Sequence, residues 1–154
     1  MAAKNKGSGI NRVLFTTDFT EASVKAVSYA LSTARKYGAK LYVLHVVDVS
    51  GEPSGFYVPH ISYERLEEEM AESAKEMMER FCSRHLKGFK NLETDILVGE
   101  PYKEILKFVK GARIDMIVMG MSGKPGIDRF LFGSTTERVM RKAECPILVI
   151  PPSR

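Results

Sequence analysis

The residues best suited to chemistry lie in one glycine-rich stretch, Gly120-Met-Ser-Gly-Lys-Pro-Gly-Ile-Asp-Arg-Phe-Leu-Phe-Gly-Ser-Thr-Thr136. Glycines let a backbone turn tightly and come close to an anion without a side chain between them. The first amides of a following helix lack intrahelical partners and sit at the positive end of its dipole. Ser134, Thr135 and Thr136 add hydroxyl donors beside those amides. Such an arrangement is a phosphate cradle. Composition alone leaves open the plainer reading, a loop closed by an ordinary Ser/Thr helix cap.

Other chemistries have little support. The Walker pattern G-x4-G-K-(S/T) is absent, so there is no P-loop lysine, and no G-x-G-x-x-G follows the first strand. Gly120-Met-Ser122-Gly-Lys124 imitates a nucleophile elbow but ends in lysine. All three histidines, 45, 60 and 85, lie upstream of it, against the chain order of that triad. Cys82 and Cys145 form no CxxC pair, so neither a disulfide framework nor a zinc site is indicated, and a reducing cytosol is the expected compartment. A formal charge of +4 suits an anionic ligand but falls short of a nucleic-acid-binding surface. No apolar run reaches the roughly 18 residues of a membrane span, and residues 1–9 lack the apolar core of a signal peptide.

The elements that must position the glycine stretch follow from hydrophobic patterning. Residues 1–10 are expected to be a flexible head and residues 11–152 a single domain. Arg12 to Thr17 reads as a first strand, followed by a helix capped by Thr20 with an apolar or small stripe Ser23, Val27, Ala30, Leu31 and Ala34, closed by Gly38. Lys40 to Val47 is almost continuously apolar, as a strand buried on both faces would be. Asp48 to Tyr63 is a long connection suited to a lid or a partner contact.

A long helix, Glu64 to about Lys87, carries glutamates in its first half and Arg80, Arg84 and Lys87 at its end, a gradient that suits its dipole. Its predicted apolar face is Leu66, Met70, Ala74, Met77 and Phe81. Glu93 to Val98 is a third strand; Pro101 opens a third helix with Ile105, Leu106 and Val109 facing the core; Ile114 to Met119 is a fourth strand. Ser134 to Lys142 and Pro146 to Ile150 complete an alternation of five strands and four helices. Right-handed crossovers then predict an open doubly wound α/β sheet, Rossmann-like, all parallel, in the order 3-2-1-4-5 with helices on both faces. Ligands of such sheets bind beyond the carboxyl ends of the strands, where strand order reverses.

The spacing Gly120-x2-Gly123-x9-Gly133-Ser134 resembles the nucleotide-binding signature G-x2-G-x9-G-(S/T) of ATP-binding universal stress proteins. The resemblance covers nearly the whole chain: Thr17-Asp18-Phe19-Thr20, His45-Val46-Val47, Gly99-Glu100-Pro101, Asp115-Met-Ile-Val-Met-Gly120 and Cys145-Pro-Ile-Leu-Val149 all stand in family order. It implies a bound adenine nucleotide, ATP, ADP or AMP, with Mg²⁺ as a possible companion. Thr16, Thr17, Asp18 and Met119 would border the nucleoside, and Val46 would meet adenine through its backbone. Gly120, Ser122, Gly123, Gly133, Ser134 and Thr135 would surround ribose and phosphates, with Thr136 beside them.

Thr16 stands where the family commonly has proline, and Ser122 where a larger polar or basic side chain is frequent; Lys124 and Arg129 are the cations able to compensate. Apart from the resemblance, Asp18 could simply hold the turn after the first strand, and His45 reads as a satisfied core histidine. Asp115 reads as a strand-entrance residue far from the ligand end. The implied activity is a nucleotide-dependent regulatory or chaperone-like module with at most slow hydrolysis. An ATPase or nucleotidyl-transferring enzyme and a nucleotide-free dimeric scaffold are the alternatives. The apolar strand Pro146 to Ile150, expected at the sheet edge, suits homodimerisation, as the family's last strand does.

Overall fold

A computed structural model describes residues 9–50, 62–121 and 132–152. The elements run β1 (Arg12–Thr16), α1 (Glu21–Tyr37), β2 (Lys40–Asp48), α2 (Tyr63–His85), β3 (Leu92–Gly99), α3 (Pro101–Gly111), β4 (Met116–Gly120), α4 (Ser134–Lys142) and β5 (Ile147–Ile150). The five strands pair in parallel in the order β3-β2-β1-β4-β5, as the alternation predicts. The predicted head lies largely outside the described residues, as does most of the connection between β2 and α2.

Period-two alternation in the strands divides the core into two layers. Val13, Phe15, Leu41, Val43 and Val118 point to the face covered by α1 and α2, where they meet Ala26, Val27, Ala30, Met78 and Phe81. Leu14, Leu44, Val46, Ile117 and Met119 point to the other face and meet Ile105, Val109 and Val139 of α3 and α4. The apolar run of β2 thus serves both layers, which a parallel sheet covered on both sides requires. Each fully buried aliphatic side chain contributes about 1.5–3 kcal/mol, and Leu14, Leu41, Leu44 and Ile117 are all fully buried.

Local signals mark the element ends: Gly38 closes α1 as expected, and α2 begins at Tyr63, one residue before the predicted Glu64. Gly38 takes the left-handed conformation (φ 62°) after α1, and Ser62 caps α2 by accepting from the Arg65 amide at 3.3 Å. Asp115 accepts from the amides of Asn11 and Arg12 at 2.8 and 2.9 Å, which ties the entrance of β4 to that of β1, far from the carboxyl ends.

The α2 face differs from the predicted one. Ala74, Met78 and Phe81 are its buried residues, whereas Leu66, Met70 and Met77 are each more than 40% exposed. Met78, not Met77, enters the core. Met70 and Met77 line a cavity beyond the strand ends rather than the packed layer.

Candidate nucleotide site

The carboxyl ends of the strands do not finish level. The β1–β2 register ends at Thr16 opposite Leu44, and one further bond runs from the Thr17 amide to the Leu44 carbonyl at 2.9 Å. β2 continues to Asp48 alongside β3, and β4 continues to Gly120 alongside β5. The central strand is therefore shorter than both neighbours, and a notch opens at the point where strand order reverses. In a parallel ladder alternate residues turn their N–H and C=O to the same neighbour. Val46 thus turns its backbone groups toward the space β1 has vacated, as Leu44 does toward β1 itself.

The notch is the floor of a cavity of about 570 Å³. Of the residues singled out from sequence, Thr16, Thr17, Asp18, Val46, Met119, Gly120, Thr135 and Thr136 all line it. Gly133 is the N-cap of α4 and Ser134 its first residue; neither reaches the wall of the cavity. Ser122, Gly123, Lys124 and Arg129 lie outside the described residues, and with them most of the glycine stretch.

After β1 the chain turns through a closely bonded loop. The Thr17 hydroxyl accepts from the Phe19 amide at 2.9 Å, and the Asp18 amide donates to Ser23 Oγ at 3.1 Å. Asp18 Oδ1 accepts from the Thr20 amide, the Thr20 hydroxyl and the Ser23 hydroxyl at 3.0, 2.5 and 2.8 Å. Thr20 occupies the N-cap position of α1, yet its hydroxyl donates to Asp18 and accepts from no helix amide. Partial burial raises the Asp18 pKa, but the hydrogen bonds from Thr20 and Ser23 together outweigh it and hold the carboxyl below its ordinary value. Asp18 is thus an anion at neutral pH, and among the described residues Oδ2 accepts no hydrogen bond. Phe19 takes a left-handed backbone (φ 64°), uncommon for an aromatic residue and the cost of so abrupt a turn.

On the opposite wall, the first helical bond of α4 runs from the Glu137 amide to the Gly133 carbonyl. The amides of Ser134, Thr135 and Thr136 precede it and have no partner within the helix. Thr136, itself buried, donates from Oγ1 to the Gly120 carbonyl at 3.4 Å, which fastens this helix start to the end of β4. Gly120 is needed for packing: a Cβ there would lie 2.6 Å from the carbonyl oxygen of Ala22 in α1.

Several lining residues escape sequence reasoning. His45 is half-buried, donates from Nδ1 to the Thr17 carbonyl at 2.7 Å and faces the Phe19 ring at 4.6 Å between centroids. It is a cavity residue, not merely a satisfied core histidine, because β2 carries it past the end of β1. Met70, Ser73, Ala74 and Met77 of α2, Asp48, Pro101 and Ile105 also line the space. The i, i+3, i+4, i+7 spacing of Met70, Ser73, Ala74 and Met77 was legible as one helix face, but not which face would meet the cavity. The wall toward α2 is apolar, whereas Asp18 and the start of α4 are polar, a division suited to a flat ring at one end and a charged group at the other.

The model of the Universal stress protein family matches residues 9–151. Universal stress protein MJ0531 of Methanocaldococcus jannaschii is 33% identical over 139 residues, covering 90% of this chain and 81% of that protein. The solved structure of MJ0577, from the same organism, superposes with a TM-score of 0.79 at 31% identity, covering 95% of this chain and 99% of the other. UspA from Lactobacillus plantarum gives 0.70 at 30% identity, with 92% and 97% covered. The notch beside β1, the order of the strands and the family match across nearly the full length agree: this chain belongs to the universal stress protein family.

Proposed function

We propose that the chain binds an adenine nucleotide, ATP foremost, in the notch beyond β1, and that occupancy acts as a regulatory switch. The observation that carries this reading is the pairing of an open backbone edge at Val46 with the unpartnered start of α4 across one cavity. A donor and acceptor on one backbone edge suit the amine edge of adenine, and helix-start amides suit phosphate. Asp18 lies beside the position of the nucleoside, and Ser122, Gly123, Gly133 and Ser134 would complete the phosphate end, with Mg²⁺ arriving on the nucleotide. Universal stress proteins of this fold have been solved with cAMP and with dAMP, at 20% and 24% identity to this chain. These show that the fold accommodates nucleotides in those proteins.

Hydrolysis is at most slow in this reading. Phosphoryl transfer needs a group that orients the attacking water and charges that stabilise the leaving phosphate. Among the described residues that line the cavity there is no lysine or arginine to stabilise the leaving phosphate, and the Asp18 carboxyl is held through Oδ1 in the turn after β1. The test is to release and identify nucleotide from denatured protein, titrate ATP, ADP and AMP by calorimetry, then follow phosphate release with Mg²⁺. Micromolar binding with negligible release is expected. Rapid, saturable release would make the protein an ATPase, and failure to bind any of the three would leave the scaffold reading.

A second copy is proposed at β5. That strand is an edge of the sheet, and Ile147, Leu148 and Val149 keep part of their apolar surface accessible. The cytosol is the proposed compartment: both cysteines are free thiols, and among the described residues no helix is long and apolar enough to cross a membrane.

A further inference from the structure

The geometry points to His45 as the residue that stops β1–β2 pairing and keeps the Val46 backbone available, a positioning role that rests on the nucleotide reading above for its functional consequence. The ladder itself defines what should come next. After the Thr17 amide has donated to the Leu44 carbonyl, the following bond of a parallel pair would run from the Val46 amide to the Thr17 carbonyl. That bond is not formed. The Thr17 carbonyl accepts instead from the His45 ring at 2.7 Å. A carbonyl only accepts, so Nδ1 carries the proton, and in the neutral ring Nε2 is the unprotonated nitrogen.

Two further contacts hold the imidazole where it can do this. The Phe19 ring lies against it at 4.6 Å, and Phe19 in turn meets Phe81 of α2 at 5.9 Å. The left-handed turn at Phe19 takes the chain away from β2 directly after Thr17. His45 points to the α1–α2 side of the sheet, whereas the Val46 side chain joins the opposite layer. The ring can therefore occupy the Thr17 carbonyl without filling the edge that Val46 presents. Satisfying that carbonyl with a side chain removes the acceptor that would otherwise draw the Val46 amide into the sheet. The binding edge stays open before any ligand arrives, so no strand bond has to break on binding.

Amide hydrogen exchange and ATP titration of three proteins, wild type, His45→Phe and His45→Asn, test this. Phenylalanine keeps the packing on Phe19 and removes the donor; asparagine keeps an N–H near the Nδ1 position. In wild type without nucleotide, the Val46 amide is expected to exchange faster than those of Val43 and Leu44. In His45→Phe the Val46 amide should slow by about ten-fold or more as it pairs with Thr17, and ATP affinity should fall about ten-fold; His45→Asn should restore most of both. Nitrogen-15 shifts of the wild-type imidazole should show the Nδ1–H form, a readout that needs no variant to fold. Unchanged Val46 exchange in His45→Phe, no rescue by His45→Asn, or an Nε2–H ring would overturn the inference. Wild-type protein that binds no ATP would overturn the nucleotide reading while the exchange rates still decide the role of His45.

Discussion

Gly120 and Ala22 stand so close that a single added methyl group on Gly120 would lie 2.6 Å from the Ala22 carbonyl oxygen. α1 crosses the end of β4 at backbone contact, and this brings the turn after β1 and the start of α4 to the same cavity. Backbone is the obstacle, so no side chain can rotate out of the way. Gly120→Ala should cost about 1–3 kcal/mol by forcing helix and strand apart, read as a lowered midpoint in urea. Gly120→Ala with unaltered stability would mean that α1 yields freely.

Asp18 makes stability depend on pH in a defined sense. Its folded pKa is depressed below the ordinary value of 3.8, so its charge stabilises the fold fully above that value. The contribution is lost as pH falls below 3.8 through the lower folded pKa. Asp18→Asn should be less stable than wild type at pH 7, with the two melting temperatures converging as pH falls below 3.8. A gap that persists undiminished in acid would show that charge is not the cause.

Both thiols should react slowly. Burial pushes the Cys82 thiol pKa up; burial, with the nearby Asp115 charge, does the same for Cys145 despite an opposing backbone hydrogen bond. The thiolate is the nucleophile, so alkylation at pH 7.5 should run about ten-fold or more slower than for a free thiol and accelerate in denaturant. Labelling of either residue at the free-thiol rate in native protein would contradict this.

Adjacent methionines on α2 should behave differently. Met78 is 3% exposed and belongs to the same core cluster as Phe81 and Val27, whereas Met77 is 43% exposed and lines the cavity. Met78→Ala should cost about 2–5 kcal/mol in chemical denaturation. Met77→Ala should cost much less, on the order of 0.5 kcal/mol, and act chiefly on nucleotide affinity. Equal losses of stability would place both side chains in the core.

At the β5 edge, Val149→Lys should convert a proposed dimer to monomer in sedimentation velocity without lowering the melting temperature of the monomer. Wild-type protein that sediments as a monomer at high concentration would reject the dimer.

Strand and helix order, parallel pairing and both buried faces of β2 were readable in the chain, because period-two and period-3.6 patterns record which side of each element is dry. The resemblance to universal stress proteins, carried by the glycine spacing and the flanking motifs, located eight of the residues that line the cavity. Those are local properties: residue type, spacing and the alternation of neighbours carry them. What the chain could not state is where one element stops relative to another. The shortness of β1 beside β2 and β4, the reach of His45 to the Thr17 carbonyl, and the exchange of Met77 for Met78 in the core all depend on distances between segments remote in sequence. Such distances follow from how helices seat on a twisted sheet, a property of the whole packed structure that no single segment encodes.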